Sequence, residues 1–227
     1  MTGEDFSILL LTLRVAAVST VVILPLGIAA GWALSRGGGP VRHAVETVLA
    51  LPLVLPPTAV GLLLLQLVRP GGFLGRLLDR AGVELLFTWK AVALATAVMS
   101  FPLLVRPVRA AFAEVDPRLL GVARSLGHGP FAVFRRVALP LAWRGILAGT
   151  MLAFSRALGE FGATILVAGN IPGRTQTLAL AIFHRTQIGQ DGAALRLVGV
   201  VVAIAFLAIL VTETLERRRA RPSGAPA

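Results

Sequence analysis

Arg156 and Glu160 stand four residues apart inside a long apolar stretch, a spacing that puts a guanidinium and a carboxylate on one helix face where they can neutralise each other. Two uses fit such a pair: a charge pair beside a translocation pathway or gate, or an ion pair that only holds helices together. Arg14, a third charge within an apolar run, lies about two turns from the run's end, near enough to snorkel to an interface. Catalytic constellations are missing around these charges. The only lysine, Lys90, follows Trp89 and no glycine-rich run, so no phosphate-cradling P-loop exists in the chain. His43, His128 and His184 are scattered over different loops without metal-ligand spacing. Ser19, Ser100, Ser125 and Ser155 lack the G-x-S-x-G frame, and the absence of cysteine removes thiol chemistry, disulfides and Cys-based metal sites. Neither a cofactor nor a metal site is expected.

The most distinctive element is the polar segment from Asp116 to Pro140, DPRLLGVARSLGHGPFAVFRRVALP, set between two membrane-grade apolar runs. Asp116 can cap a helix that begins at Pro117, where the ring occupies a position needing no donor, and Gly127 can end it. Leu119, Val122, Ala123 and Leu126 recur at helical spacing. After the Gly129–Pro130 corner, Phe131, Phe134 and Val137 do the same until Pro140 closes the segment. The expectation is a two-helix hairpin with one apolar stripe. Such a stripe is covered either by a partner protein or by a lipid surface.

Composition sets the context: 227 residues, 56% hydrophobic, 15% charged, mean hydropathy +0.83. Soluble domains carry about 25% charged residues, so this is an all-α polytopic membrane protein. About 20 apolar residues cross the hydrocarbon core, and five candidate spans follow: Ser7–Leu34, Val45–Val68, Ala91–Phe112, Pro140–Ala168 and Leu195–Leu215. The first is expected to be retained as a span, since Glu4 and Asp5 stand where a cleaved signal has basic residues. Pro25, Pro52, Pro56, Pro57 and Pro102 fall inside spans and weaken helices where only protein or a wet cavity can compensate. The cluster LPLVLPP at Leu51–Pro57 points to a pathway, and Gly27-x-x-x-Gly31 to close helix approach.

Arginine placement orients the spans. Thirteen Arg residues (36, 42, 106, 109, 118, 124, 135, 136, 144, 217, 218, 219, 221) lie on the side that holds the Asp116–Pro140 loop, against seven Arg/Lys (69, 76, 80, 90, 174, 185, 196) on the other. The excess predicts the N-terminus outside, with the loop and a basic tail at about 216–227 in the cytoplasm. Most of the net charge of +11 is thereby an orientation signal. It is not a nucleic-acid footprint, because no basic stripe interleaved with aromatics lies outside the apolar runs.

Ala123, then Gly127 four residues on, then Val137, Leu139 and Pro140 after a nine-residue gap resemble the EAA loop (EAA-x3-G-x9-I-x-L-P) of ABC-importer permeases. The match departs at Gly121, in place of the acid, and at Val122, in place of the first alanine. SRALGEFGAT at Ser155–Thr164, Gly169–Gly173 with Thr175, LPLVLPPTAVG at Leu51–Gly61, Phe87–Trp89, MSFPL at Met99–Leu103 and Arg106–Arg109 resemble the molybdate-type permeases, over nearly the whole chain.

The resemblance implies one transmembrane domain over residues 1–227 of a bacterial or archaeal inner membrane, with a coupling loop at about 116–140. Residues Ala123, Gly127, Phe131, Phe134, Val137, Leu139 and Pro140 would couple it to a separate ATPase. Arg156, Glu160, Phe161, Thr164, Pro56 and Pro57 are the pathway or gate candidates. Two ATPase subunits, a second copy of the chain, membrane lipid and an extracytoplasmic oxyanion-binding protein are the implied partners. The substrate implied is molybdate, with tungstate, sulfate or thiosulfate as alternatives. A reading from another class, a membrane anchor or integral enzyme subunit without a pathway, is disfavoured by the EAA-like spacing.

Overall fold

The computed structural model describes the backbone of residues 3–220 and the side chains of residues 3–207 and 210. Every regular element of the described backbone is helical: α1 Gly3–Ser35, α2 Pro40–Val54, α3 Pro57–Val68, α4 Phe73–Arg80, α5 Trp89–Ala113, α6 Pro117–Ser125, α7 Pro130–Val133, a π turn Phe134–Ala138, α8 Leu139–Leu141, α9 Trp143–Leu158, α10 Gly162–Ala168, α11 Leu178–Gln187 and α12 Asp191–Ala220.

The long helices α1 and α5 are each long and apolar enough to cross a membrane, and they match the first and third expected spans closely. They pack side by side because one partner in each contact is a glycine. A Cβ on Gly27 would lie 2.4 Å from Leu104 Cδ2, and one on Gly31 would lie 2.6 Å from Val108 Cγ1. The Gly27-x-x-x-Gly31 face is thus the groove that α5 fills. Leu104 and Val108 are fully buried there, with Ile23, Phe112 and Ile146 in the same core. In lipid, where tails are as apolar as leucine, this dispersion contact is what holds the pair. Gly31→Val is therefore expected to cost about 1–3 kcal/mol through overpacking. The check is a lower unfolding midpoint of the purified variant in detergent; an unchanged midpoint would place the contact elsewhere. The opposite face of α1 leaves Phe6, Leu10, Val21, Val22 and Leu26 exposed, the surface of a helix that meets lipid or another chain.

Two expected spans are broken helices, the first of them at the prolines that weaken it. Val45–Val68 is not one straight helix: α2 and α3 meet at 113° across Leu55–Pro56. Pro56 and Pro57 lack the donors that would carry the ladder through, and the residue before a proline avoids the helical region; Leu55 is extended, at ψ 144. Pro140–Ala168 also breaks. Helix α9 stops at Leu158, and α10 begins at Gly162. The 16 residues of α9 reach about 24 Å, short of a hydrocarbon core of about 30 Å.

The expected stop at Pro140 is corrected. The helical backbone continues to Leu141 and bends by 71° before Trp143. A π turn precedes the proline, with Leu139 N–H reaching back to the carbonyl of Phe134. Its wider turn accommodates a ring that would clash in a regular helix.

Among the described residues, α1, α5 and two bent pairs give up to four spans by length and composition. The fifth expected span, Leu195–Leu215, lies on α12, whose side chains beyond Leu207, Leu210 apart, fall outside the described residues, as does most of the basic tail. Helices α4 and α11 occupy stretches read from the sequence as loops.

Candidate functional site

Two regions carry the residues singled out by sequence: the hairpin between α5 and α9, and the break between α9 and α10. The hairpin starts as its local chemistry dictates. Asp116 accepts a hydrogen bond from Arg118 N–H at 2.8 Å, Pro117 occupies the first helical position, and Gly127 sits at φ 84, a left-handed conformation that favours glycine. Its stripe divides differently from the sequence reading. Ala123 belongs with Leu120, Val133 and Ala138 to the chain's own core. Leu119, Val122 and Leu126, at i, i+3 and i+7, form an exposed crest, and Phe131 continues it; Leu126 and Phe131 are each 73% exposed. Gly127 is exposed at the tip, while Val137 and Leu139 are half-buried and Pro140 is exposed at the root.

Phe134 points inward. Its ring lies 5.0 Å from Trp32 of α1 and 6.0 Å from Phe112 of α5, and Trp32 and Phe112 are 5.0 Å apart edge-on. The Arg36 guanidinium lies over Trp32 at 3.3 Å from the ring centroid. This aromatic knot ties the hairpin root to the ends of both long helices, so the hairpin and those ends move together or the knot breaks. Sequence reading missed Trp32 and Phe112. Their signal was only that each aromatic stands at the end of a span.

At the second region the Arg156–Glu160 pair forms across the end of α9, Nη2 to Oε2 2.7 Å, with the Glu160 side chain 2% exposed. Glu160 does more than neutralise. It lies in the break itself, and its Oε1 accepts the Ala163 N–H at 2.8 Å, satisfying a donor of the first turn of α10. The carboxylate therefore clamps both helix ends.

Helix α3 lies against α10. A Cβ on Gly61 would meet the Ala163 backbone at 2.8 Å, and one on Gly162 would meet Pro57 Cβ at 2.7 Å. The fold thus brings Pro57, Glu160 and Thr164 into one neighbourhood. Thr164 is fully buried, its hydroxyl without a hydrogen-bond partner among the described residues. Phe161 turns toward α11, its ring 4.8 Å from Phe183, and Pro56 is exposed at the bend.

Three long-range polar links also escaped the sequence. Asp5 at the start of α1 pairs with Arg185 of α11 at 2.7 Å, and Thr12 Oγ1 accepts the Leu178 N–H at 2.9 Å, so α1 anchors α11. Glu46 of α2 takes Arg109 of α5 at 3.0 Å. Arg14, near enough to the end of its span to snorkel, lies over Trp89 at the start of α5, 4.2 Å from the ring centroid. No group of three or more metal-ligating side chains is present among the described residues.

Broken helices around a partly buried ion pair, with an exposed apolar crest on a rooted hairpin, fit a membrane permease. The chain belongs to the family of binding-protein-dependent transport system inner membrane components, whose model matches residues 23–221. It is 44% identical over 220 residues to the molybdenum transport system permease protein ModB of Escherichia coli (strain K12), covering 96% of each chain. To the sulfate transport system permease protein CysT of Salmonella typhimurium it is 35% identical, over 92% of this chain and 76% of that one. The fold matches that of the MetNI methionine ABC transporter, solved in inward-facing conformations, with a TM-score of 0.72 at 18% identity, covering 97% of this chain and 100% of that chain.

Proposed function

We infer that this chain is the pathway-forming permease subunit of an ABC importer for molybdate, acting as two copies with two separate ATPase subunits and an extracytoplasmic oxyanion-binding protein. The observation that carries the substrate is the end-to-end 44% identity with a molybdenum permease. The exposed crest Leu119, Val122, Leu126 and Phe131 supports the coupling role, since a contiguous apolar ridge on an arginine-rich loop marks a surface that a partner covers. ATP-driven closure of the partners would push the hairpins. The knot of Trp32, Phe112 and Phe134 would pass that displacement to α1 and α5, a shear between packed helices. Glu160 and Pro57 lie where α3 and α10 would slide past each other, which fits a gate role for both.

The test is ATP-dependent uptake into proteoliposomes holding the permease, its ATPase and its binding protein. Molybdate is expected to enter, and sulfate to enter much more slowly. Sulfate entering faster would favour the second reading, a sulfate permease, to which the 35% identity with a sulfate permease gives some support.

Orientation follows from the thirteen-to-seven arginine and lysine split, which favours the N-terminus outside and the hairpin in the cytoplasm. A reporter fused after Arg221 is expected to be active in the cytoplasm. Activity on the outer side alone would invert the topology and remove the hairpin from reach of any ATPase.

A further inference from the structure

Helix α2 is weakly embedded: none of its residues is buried. Between α2 and the last turns of α5 lies an open cleft of about 510 Å³, at the same end of the bundle as the hairpin. Its polar walls are Arg106 and Arg109 from α5 and His43, Glu46 and Thr47 from α2, with Leu34 at the end of α1 beside them. Arg106 and Arg109 are three residues apart on α5 and share its cleft-facing side.

Glu46 serves two arginines at once. Arg42 Nε reaches its Oε1 at 2.7 Å, and Arg109 Nη1 reaches the same oxygen at 3.0 Å. The Glu46 and Arg109 side chains stay 25% and 38% exposed, so both remain open to a ligand. Arg106 is exposed and makes no ion pair among the described residues. Three guanidiniums thus stand against one carboxylate in and beside the cleft, an excess of two positive charges from these four groups. Holding α2 to α5 needs only one Arg–Glu pair; the further cations make the cleft attractive to an anion. Guanidinium forks match the edges of a tetrahedral oxyanion, which accepts two parallel hydrogen bonds from each.

We propose that the cleft between α2 and α5 is a transient binding site for a divalent tetrahedral oxyanion, with Arg106 and Arg109 as donors and Glu46 as the internal anion that Arg109 leaves when the oxyanion arrives. Glu46 sets the strength of the site: while it holds Arg109 the positive charge of the cleft is partly neutralised, and a departing ion is not retained tightly. This rests on the reading of the chain as an oxyanion permease with its hairpin end in the cytoplasm, which places the cleft on the exit side.

The test is equilibrium dialysis of labelled molybdate against the nucleotide-free permease–ATPase complex in lipid nanodiscs, without binding protein. Saturable binding is expected. Arg106→Gln, at a residue outside the ion-pair network, should weaken it at least about tenfold, the effect of losing one charge-assisted hydrogen-bonded contact. Glu46→Gln should tighten it, because the competing carboxylate is gone. Sulfate should displace the label, and chloride at equal ionic strength should not.

Weaker binding in Glu46→Gln would reduce Glu46 to a prop for α2 and overturn the proposal. Equal displacement by chloride, or no saturable binding in a complex that imports molybdate, would overturn it as well. Arginine-dependent binding in a complex that imports no oxyanion would support the cleft while removing the transport reading.

Discussion

Glu160→Ala is expected to abolish uptake and sharply lower the yield of folded protein, the largest single effect foreseen in the transmembrane region. Two losses coincide. The Arg156 guanidinium loses its 2.7 Å partner within the bundle, and the Ala163 N–H loses its acceptor at the start of α10. Because Arg156 keeps 27% of its side chain exposed, losing its partner costs less than the about 3–5 kcal/mol of a fully buried pair, and the orphaned buried Ala163 donor adds about 1–3 kcal/mol.

Companion variants separate the two roles. Arg156→Gln with Glu160→Gln removes both charges yet keeps an acceptor for Ala163, so expression is expected to recover. Reversing the pair, Arg156→Glu with Glu160→Arg, restores neutrality but offers Ala163 no acceptor, and it should remain poorly folded. Size-exclusion profiles of detergent extracts report folding, and proteoliposome uptake reports transport. Restored folding with low uptake in the double glutamine variant would assign the charges to the pathway; restored uptake would leave them to packing. Wild-type expression and uptake by Glu160→Ala would mean that the clamp holds nothing.

Leu126→Asp with Phe131→Asp is expected to give a permease that inserts and folds normally yet fails to retain its ATPase. Both side chains are 73% exposed on the hairpin crest, so the fold loses little when they change. Burying an aliphatic or aromatic side chain contributes about 1.5–3 kcal/mol. Losing two such contacts, and burying two carboxylates in their place, would weaken the complex by at least about a hundredfold. Co-purification at graded salt measures it.

Ala123 is the contrast: it faces the chain's own core, so Ala123→Asp should fail at folding instead. Gly127→Val tests the corner between arms, because φ 84 strains any β-branched residue. A crest variant that still holds the ATPase and transports would move the docking surface off this ridge.

Much of this was legible in advance because it is local. The cap at Asp116, the proline start, the left-handed Gly127 and the Arg156–Glu160 pair depend on residues within a few positions of one another, and backbone sterics and helical spacing settle them. The runs at α1 and α5 were equally plain, since about 20 apolar residues in a row have few other uses. The breaks were half visible. Pro56 and Pro57 announced one, and only its angle was hidden. The break at Gly159–Phe161 had no proline to mark it, and the helix through Pro140 needed a π turn that no local signal gave.

By itself, then, the chain's order of residues determined an all-helical membrane protein with a polar hairpin between its spans, and it carried the spacing that marks the family. Only the tertiary structure decided which hairpin residues turn inward. Ala123 and Phe134 were read with the docking stripe, yet Ala123 is buried in the core and Phe134 meets Trp32, about a hundred positions away along the chain. Glu46 and Arg109, 63 residues apart, are the same case. Helical periodicity states that a residue lies on a face; which of two apolar faces is buried depends on what packs against it, and that partner's position is set by the whole bundle.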